Sequence, residues 1–155
     1  MMKKIMFVCH GNICRSPMAE FVMKSLAAKS GAELHIESSA TSREEIGNSI
    51  YPPAAYTLSL HGIDCNGHRA RQFTVDDYND FDLVIVMEDY NKRNLTRLIG
   101  CDCKGKVWKL LDFIADELAP GIGGDISDPW YHGNFDKTYN EILSGCKALM
   151  TYLGY

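Results

Sequence analysis

The chain has 155 residues, of which 46% are hydrophobic and 23% are charged. These proportions are ordinary for a globular protein, and the length suits one domain, spanning residues 1–155, with a core of its own. The formal net charge of −4 gives no reason to expect a nucleic-acid partner.

The first residues do not resemble a targeting segment. Lys3 and Lys4 precede only the short apolar run Ile5–Cys9, which His10 and Gly11 interrupt. A signal peptide needs a longer apolar region, and no stretch approaches the ~20 apolar residues of a membrane span. We therefore expect a cytoplasmic protein with reduced thiols and no membrane association.

The first predicted elements are a strand, a loop and a helix. The continuous apolar run Ile5–Val8 is typical of a buried parallel strand. The polar loop His10–Arg15 follows it. Ser16 and Pro17 then open a helix, because serine caps helix N-termini and proline suits the first helical position, and Gly31 ends it.

Further strands and helices alternate along the rest of the chain. In chain order, the sequence predicts strand Leu34–Ser38, loop Thr41–Pro53, helix Ala54–Leu60, one helical turn within Phe73–Phe81, strand Leu83–Met87, helix Tyr90–Ile99, strand Val107–Leu111, loop Leu118–Pro129 and helix Phe135–Leu153. This alternation predicts an α/β fold, with a four-stranded parallel sheet and helices on both faces in a single three-layer domain. Ligands of such folds bind beyond the carboxyl ends of the strands.

The loop after the first strand contains a Cys-x5-Arg sequence, from Cys9 to Arg15. The spacing is weak evidence alone, because Cys65 and Arg71 have it too. Their surroundings distinguish them. Cys9 ends an apolar strand and Arg15 precedes a helix, whereas no strand precedes Cys65. We predict an N-terminal phosphate-binding loop at the first match and regard the second as accidental.

This loop has the residues that phosphate chemistry needs. Gly11 and Asn12 tolerate the left-handed backbone of a tight anion-binding loop. The converging N–H groups and the helix N-terminus bind a phosphate dianion and favour the thiolate form of Cys9. Arg15 is suited to bind two phosphate oxygens at once. Ser16 has two open readings, as the helix N-cap or as a hydrogen-bond donor to the thiolate.

A cysteine nucleophile also needs an acid for the leaving group. Four carboxylates near the predicted strand ends are candidates: Asp112, Asp116, Asp125 and Asp128. The segment Asp128-Pro129-Trp130-Tyr131 stands out because two aromatic side chains follow the carboxylate. These rings suit the entrance to a site for a flat aromatic substrate.

The remaining cysteines give little sign of a metal site. Cys101 and Cys103 with His61 and His68 would be the candidate zinc ligands, but a Cys-x-Cys spacing is poor for structural zinc. We expect ordinary thiols, no metal and no cofactor.

Two segments, Val8–Pro17 and Asp128–Tyr131, together resemble the low-molecular-weight protein tyrosine phosphatase family. The likeness extends over the whole chain and includes Glu37–Ser42, Ile46–Asn48, His61–Ile63, Arg69–Gln72 and Met87–Asp89. It implies a phosphatase that hydrolyses phosphotyrosine and small aryl phosphates through a cysteinyl-phosphate intermediate. The expected partners are a phosphotyrosine-containing protein and the tyrosine kinase that supplies it.

The resemblance also implies residue roles. Cys9 is the nucleophile, Arg15 binds phosphate, and Asp128 is the general acid and later the base. Phosphate binding or support of the loop is implied for His10, Gly11, Asn12, Ile13, Cys14, Ser16, Ser38 and His61. Glu44, Trp130 and Tyr131 form the substrate rim, where Glu44 replaces an aromatic residue of vertebrate members and leaves one side polar.

Cys14 has two open interpretations. One is a small buried filler, since free cysteine often packs as a small hydrophobe. The other follows the family, whose members pair the two loop cysteines, so that Cys14 is a redox partner that traps oxidised Cys9 as a disulfide.

Three other functions are weighed against a tyrosine phosphatase. A thiol-dependent arsenate reductase would relay electrons from Cys9 through Cys101 and Cys103, but a pair one residue apart is a poor relay. A non-catalytic phosphate-binding module is disfavoured because nucleophile, arginine and acid are all present. A phosphoarginine phosphatase of the same fold would carry threonine in place of Ile13.

Overall fold

The computed structural model of the chain describes residues 2–115 and 124–155. Its four strands form one parallel sheet in the order β2-β1-β3-β4. The strands are β1 Lys3–Cys9, β2 Leu34–Ala40, β3 Leu83–Val86 and β4 Val107–Lys109. All four overlap the strands that the sequence predicted, so the predicted fold class is confirmed.

The described helices are α1 Arg15–Ser30, α2 Pro52–Leu60, α3 Val75–Asp80, α4 Asp89–Ile99, α5 Asp112–Ala115, α6 Pro129–His132 and α7 Phe135–Tyr152. The predicted helical turn after Thr74 is α3, which begins with a capping box made by Thr74 and Asp77. Helices α5 and α6 were not predicted, because four residues are too few to show a helical period. Of the predicted loop Leu118–Pro129, residues 118–123 lie outside the described part, and Pro129 begins α6.

The sheet is covered on both faces, as predicted for a three-layer domain. Along β1, Ile5 and Phe7 pack into a core with α1, α2 and α7, while Met6 and Val8 pack into a second core with α3 and α4. This alternation follows from the two-residue period of a strand, and both sets are fully buried because β1 is a central strand.

The strand order places a crevice beside the phosphate loop. From β1 the chain crosses to β2 on one side, whereas β3 pairs with the other side of β1. Such a change of direction opens a crevice at the carboxyl ends of the strands. Cys9 ends β1 here, and Met87 and Glu88 follow β3.

Cys101 and Cys103 differ from the prediction of ordinary thiols, since a disulfide joins them across a Cα separation of 5.3 Å. The carboxylate of Asp102 accepts hydrogen bonds from the Tyr78 hydroxyl at 2.6 Å and from the backbone N–H of Val107 at 3.1 Å. These bonds fold the loop back on itself at the amino end of β4. Because the strands are parallel, the disulfide lies at the edge of the sheet opposite the phosphate loop.

Within the described ranges, no helix combines the length and apolar character needed to cross a bilayer.

Candidate active site

The phosphate loop joins the end of β1 to the start of α1. Asn12 is fully buried and adopts the left-handed conformation with φ 59°. It is the only non-glycine residue with positive φ among those described. The sequence had predicted a left-handed backbone at Gly11 or Asn12. Asn12 adopts it, and Gly11 is not among the glycines with positive φ.

The sulfur of Cys9 lies between hydrogen-bond donors. The backbone N–H of Asn12 donates to Sγ at 3.3 Å, and the hydroxyl of Ser16 lies 3.1 Å away. Ser16 lies inside the first turn of α1, since Cys14 is the N-cap residue, so its reading as the helix N-cap is wrong. The sulfur of Cys9 therefore lies within hydrogen-bond distance of two polar groups at the N-terminal end of α1.

The side chain of Asn12 determines which way the Ser16 hydroxyl points. Its Nδ2 donates to Ser16 Oγ at 2.8 Å and to Ser38 Oγ at 2.9 Å. Because Ser16 accepts this bond, its own proton is available for the Cys9 sulfur, with the Ser39 carbonyl a more distant acceptor at 3.4 Å. The geometry therefore supports the second reading of Ser16, as a donor to the sulfur.

Two supporting residues were missed by the sequence analysis. Glu20 is buried on α1 and accepts a hydrogen bond from the Ser38 hydroxyl at 2.6 Å. His68 Nε2 lies 2.7 Å from the carbonyl oxygen of Asn12. A charge on the buried face of a helix was the available signal for Glu20, whereas nothing in the sequence distinguished His68 from His61.

His61 does not support the loop, and that prediction is wrong. It is the C-cap residue of α2, which packs against α7, and its exposed ring stacks on Tyr139 with centroids 3.8 Å apart. Among the described residues it makes no hydrogen bond to the loop. The histidine that contacts the loop is His68.

The guanidinium of Arg15 is buried with 1% exposure and is held at three points. It donates to the Ile126 carbonyl oxygen at 2.7 Å and to Glu88 Oε1 at 3.1 Å, and it lies 3.4 Å from Asp128 Oδ2. Burial alone would lower the pKa of Arg15, but the charges of Cys9, Asp128 and Glu88 outweigh it and raise that pKa. Arg15 is thus a permanent cation beside the Cys9 sulfur.

Asp128 is the described acid candidate that lies in the pocket. Its Oδ1 accepts a hydrogen bond from the backbone N–H of Trp130 at 3.0 Å, which caps α6, while Oδ2 faces Arg15. Asp112 accepts a hydrogen bond from the backbone N–H of Lys109, and Asp125 accepts one from the Lys109 Nζ. Asp116 lies outside the described residues.

A pocket of about 360 Å³ opens above the loop. Its floor is formed by Cys9, Gly11, Ile13, Cys14 and Arg15, with Asp128 at the side. Its rim is formed by His10, Glu44, Glu45, Tyr90, Trp130 and Tyr131. The predicted rim residues therefore all line the pocket, and Glu45 and Tyr90 join them.

One side of the rim is polar and the other aromatic. His10 Nε2 lies 3.0 Å from the Glu44 carboxylate, so Glu44 gives the loop a polar hydrogen-bond partner on this side. Trp130 and Tyr131 are exposed opposite them, and the Trp130 ring lies 4.8 Å from that of Tyr51. These faces are suited to hold a flat ring above Cys9.

The second Cys-x5-Arg match does not form a site. Arg71 is paired with Asp77 at 2.8 Å and with Glu37 at 3.3 Å, and Cys65 lines a separate groove beside α2. Within the described part of the chain, no group of three or more histidine, cysteine or acidic side chains is arranged to hold a metal ion.

A parallel α/β sheet with a cysteine-centred anion loop, a buried arginine and a facing carboxylate defines a cysteine-based phosphatase. The family described as low molecular weight phosphotyrosine protein phosphatase matches residues 4–154. The chain therefore belongs to this family. It is a protein-tyrosine phosphatase, a phosphoric monoester hydrolase, as the sequence predicted.

Individual relatives agree with this assignment. The chain is 38% identical over 152 residues to the low molecular weight protein-tyrosine-phosphatase YfkJ of Bacillus subtilis. The alignment covers 96% of this chain and 94% of YfkJ. It is 39% identical over 155 residues to the low molecular weight phosphotyrosine protein phosphatase of Gallus gallus, with coverage of 96% and 94%.

Solved structures show the same fold. The crystal structure of YfkJ superimposes with a TM-score of 0.91 at 35% identity, covering 99% of this chain and 95% of that one. The YwlE arginine phosphatase, in a mutant with a phosphorylated active-site serine, superimposes with a TM-score of 0.83 at 29% identity, with coverage of 97% and 95%. An arginine phosphatase is thus a relative of the same fold, but neither arginine phosphatase nor arsenate reductase activity is favoured over phosphotyrosine hydrolysis.

Proposed function

We propose that Cys9, Arg15 and Asp128 hydrolyse phosphotyrosine in two steps. The observation that carries this assignment is the contact of one guanidinium, that of Arg15, with the Asp128 carboxylate in the pocket whose floor contains Cys9. A phosphoryl group bound to Arg15 therefore lies between the nucleophile and the acid.

In the first step the Cys9 thiolate attacks phosphorus in line with the leaving oxygen. The P–O bond to tyrosine breaks while the S–P bond forms, and protonated Asp128 gives its proton to the departing phenolate oxygen. The loop N–H groups and Arg15 stabilise the three equatorial oxygens. Ser16 stabilises the thiolate before attack through its hydrogen bond.

In the second step water replaces the sulfur. Asp128, now ionised, removes a proton from a water molecule. The oxygen of that water bonds to phosphorus as the S–P bond breaks. Phosphate leaves, Cys9 returns to the thiolate and Asp128 is protonated again, so the cycle closes without a redox change.

The shape of the pocket supports phosphotyrosine in protein substrates. A tyrosine side chain is long enough to place phosphorus at the loop while its ring lies between Trp130 and the opposite rim. The shorter serine arm would leave phosphorus above Cys9. The apolar side chain of Ile13 lines the pocket beside Cys9, and an apolar surface suits a phenyl ring better than the guanidinium of phosphoarginine. The tyrosine kinase partner and the cytoplasmic location remain predictions.

Phosphate release from three matched peptides tests this specificity. The peptides share one sequence and carry phosphotyrosine, phosphoserine or phosphoarginine at its centre. We expect kcat/KM to be highest for phosphotyrosine. Preference for phosphoarginine would contradict the proposal, and Ile13→Thr should move activity toward phosphoarginine if Ile13 sets the choice.

A further inference from the structure

Three charged residues meet beside the acid-bearing segment. Lys109 ends β4, and its Nζ lies 3.1 Å from Asp125 Oδ1 and 3.3 Å from Asp89 Oδ1. The Lys109 side chain is 13% exposed. It therefore bridges carboxylates from the start of α4 and from the segment that leads to Asp128.

Asp125 has a second bond to the same helix. Its Oδ1 accepts a hydrogen bond from the backbone N–H of Asp89 at 3.2 Å. The next residue, Ile126, donates its N–H to the Met87 carbonyl at 2.9 Å, and its own carbonyl receives Arg15 at 2.7 Å. The backbone at 125–126 is thus fixed to the end of β3, two residues before Asp128.

Lys109 is the cation that contacts both carboxylates. Burial by itself would lower the pKa of Lys109, but the bonds to Asp125 and Asp89 outweigh it and raise that pKa. Without the cation, both carboxylates that contact Lys109 Nζ would be left unneutralised beside each other, and neighbouring like charges repel. The repulsion would push the segment away from α4.

We propose that Lys109 is a positioning residue for the general acid, because it holds Asp125 against Asp89 and so fixes the segment that carries Asp128. The inference rests on the proposed role of Asp128 as the acid. A displacement of about 1 Å at a reacting group costs up to ~10²-fold in rate, so a remote lysine can have a large effect.

The test measures kcat/KM for aryl phosphates whose leaving groups differ in acidity. This ratio reports the steps up to release of the phenol, where the acid acts. Lys109→Met keeps the apolar stem and removes the charge. We expect a loss of about tenfold for phenyl phosphate and less than about threefold for p-nitrophenyl phosphate, since a good leaving group needs little protonation. Lys109→Arg should restore most of the activity.

Two further variants separate acid positioning from general destabilisation. In an Asp128→Asn background, Lys109→Met should have little additional effect, because the group that it positions is already gone. Asp125→Asn should show the same leaving-group pattern as Lys109→Met in weaker form. Lys137→Met, which removes the cation of an exposed pair with Glu141 on α7, is the matched control and should change nothing.

The outcomes distinguish this inference from the proposed function. An equal loss for all leaving groups, or full additivity with Asp128→Asn, would overturn the positioning role while leaving Asp128 as the acid. If Asp128→Asn itself shows no leaving-group dependence, Asp128 is not the acid and both proposals fall.

Discussion

Arg15 donates a hydrogen bond to the backbone carbonyl of Ile126 at 2.7 Å, which joins the helix of the phosphate loop directly to the segment that carries the acid. The same guanidinium lies 3.4 Å from Asp128. In the proposed mechanism, phosphate binding and placement of the acid therefore depend on the same side chain. A change at Arg15 should disturb both.

Arg15→Lys should lower kcat/KM by about 10²- to 10³-fold, the usual scale for losing preorganised stabilisation of transition-state charge. Lysine keeps the charge but cannot bind two phosphate oxygens while also bonding to Ile126 and Glu88. Steady-state kinetics and inhibition by inorganic phosphate measure the effect. Activity within threefold of wild type would show that charge alone suffices.

Mild peroxide should inactivate the enzyme reversibly through Cys9 and Cys14. Burial, together with the charges of Cys9 and Asp128, raises the pKa of Cys14, so Cys14 stays a thiol while Cys9 is oxidised. Peroxide converts the Cys9 thiolate to sulfenic acid, and the Cys14 thiol then displaces water to form a disulfide that dithiothreitol reduces.

Cys14→Ser should remain active before oxidation but lose most of this recovery, because its sulfenic acid proceeds to irreversible products. Peptide mapping by mass spectrometry identifies the bond formed. A bond from Cys9 to Cys65, or full recovery of the Cys14→Ser variant, would contradict the local trap. The bond between Cys101 and Cys103 serves as an internal reference for reduction.

Asp102 should stabilise the fold in a pH-dependent way. Burial would raise its pKa, but hydrogen bonds from the Tyr78 hydroxyl and from the N–H groups of Lys106 and Val107 outweigh burial and lower that pKa. A lowered folded-state pKa means that the stabilisation is present above the unfolded value of ~3.9 and is lost as pH falls through the folded value.

Asp102→Asn should therefore lower the free energy of unfolding by about 1 kcal/mol at pH 7, since solvent screens this partly exposed carboxylate, and the difference from wild type should shrink near pH 3. Urea denaturation followed by circular dichroism at both pH values measures this. Asp136→Asn, at an exposed position in the first turn of α7, is the control and should show little change. A difference that does not vary with pH would contradict the prediction.

The sequence predicted the sheet because Ile5–Val8 in β1 and Leu83–Val86 in β3 are continuous apolar runs, and the alternation of strands with helices left few possible topologies. The phosphate loop was predictable because its residues are adjacent in the chain, so Cys9, Asn12 and Arg15 were found together. The place of Asp128 at the pocket was predictable from the aromatic residues that follow it, which line the same pocket. All of these signals are local.

The rest depends on contacts between distant segments. His68 rather than His61 meets the loop because His61 ends a helix that packs against α7, and no sequence spacing reveals that direction. The contact of Ile126 with Arg15 uses a backbone carbonyl, which has no sequence signal. The disulfide between Cys101 and Cys103 lies in a loop whose Asp102 carboxylate bonds to the distant Tyr78, and no local spacing reveals that contact.

Trapping the covalent intermediate tests the central claim, that Cys9 is the nucleophile, most directly. The Asp128→Asn variant should form the cysteinyl phosphate from p-nitrophenyl phosphate and hydrolyse it slowly, because the base of the second step is missing. Rapid acid quench and fragmentation mass spectrometry should find one phosphoryl group on Cys9, and Cys9→Ser in this background should abolish that phosphocysteine. A phosphoryl group on Cys14 or Cys65, or turnover with no phosphorylated enzyme at any time, would contradict the mechanism.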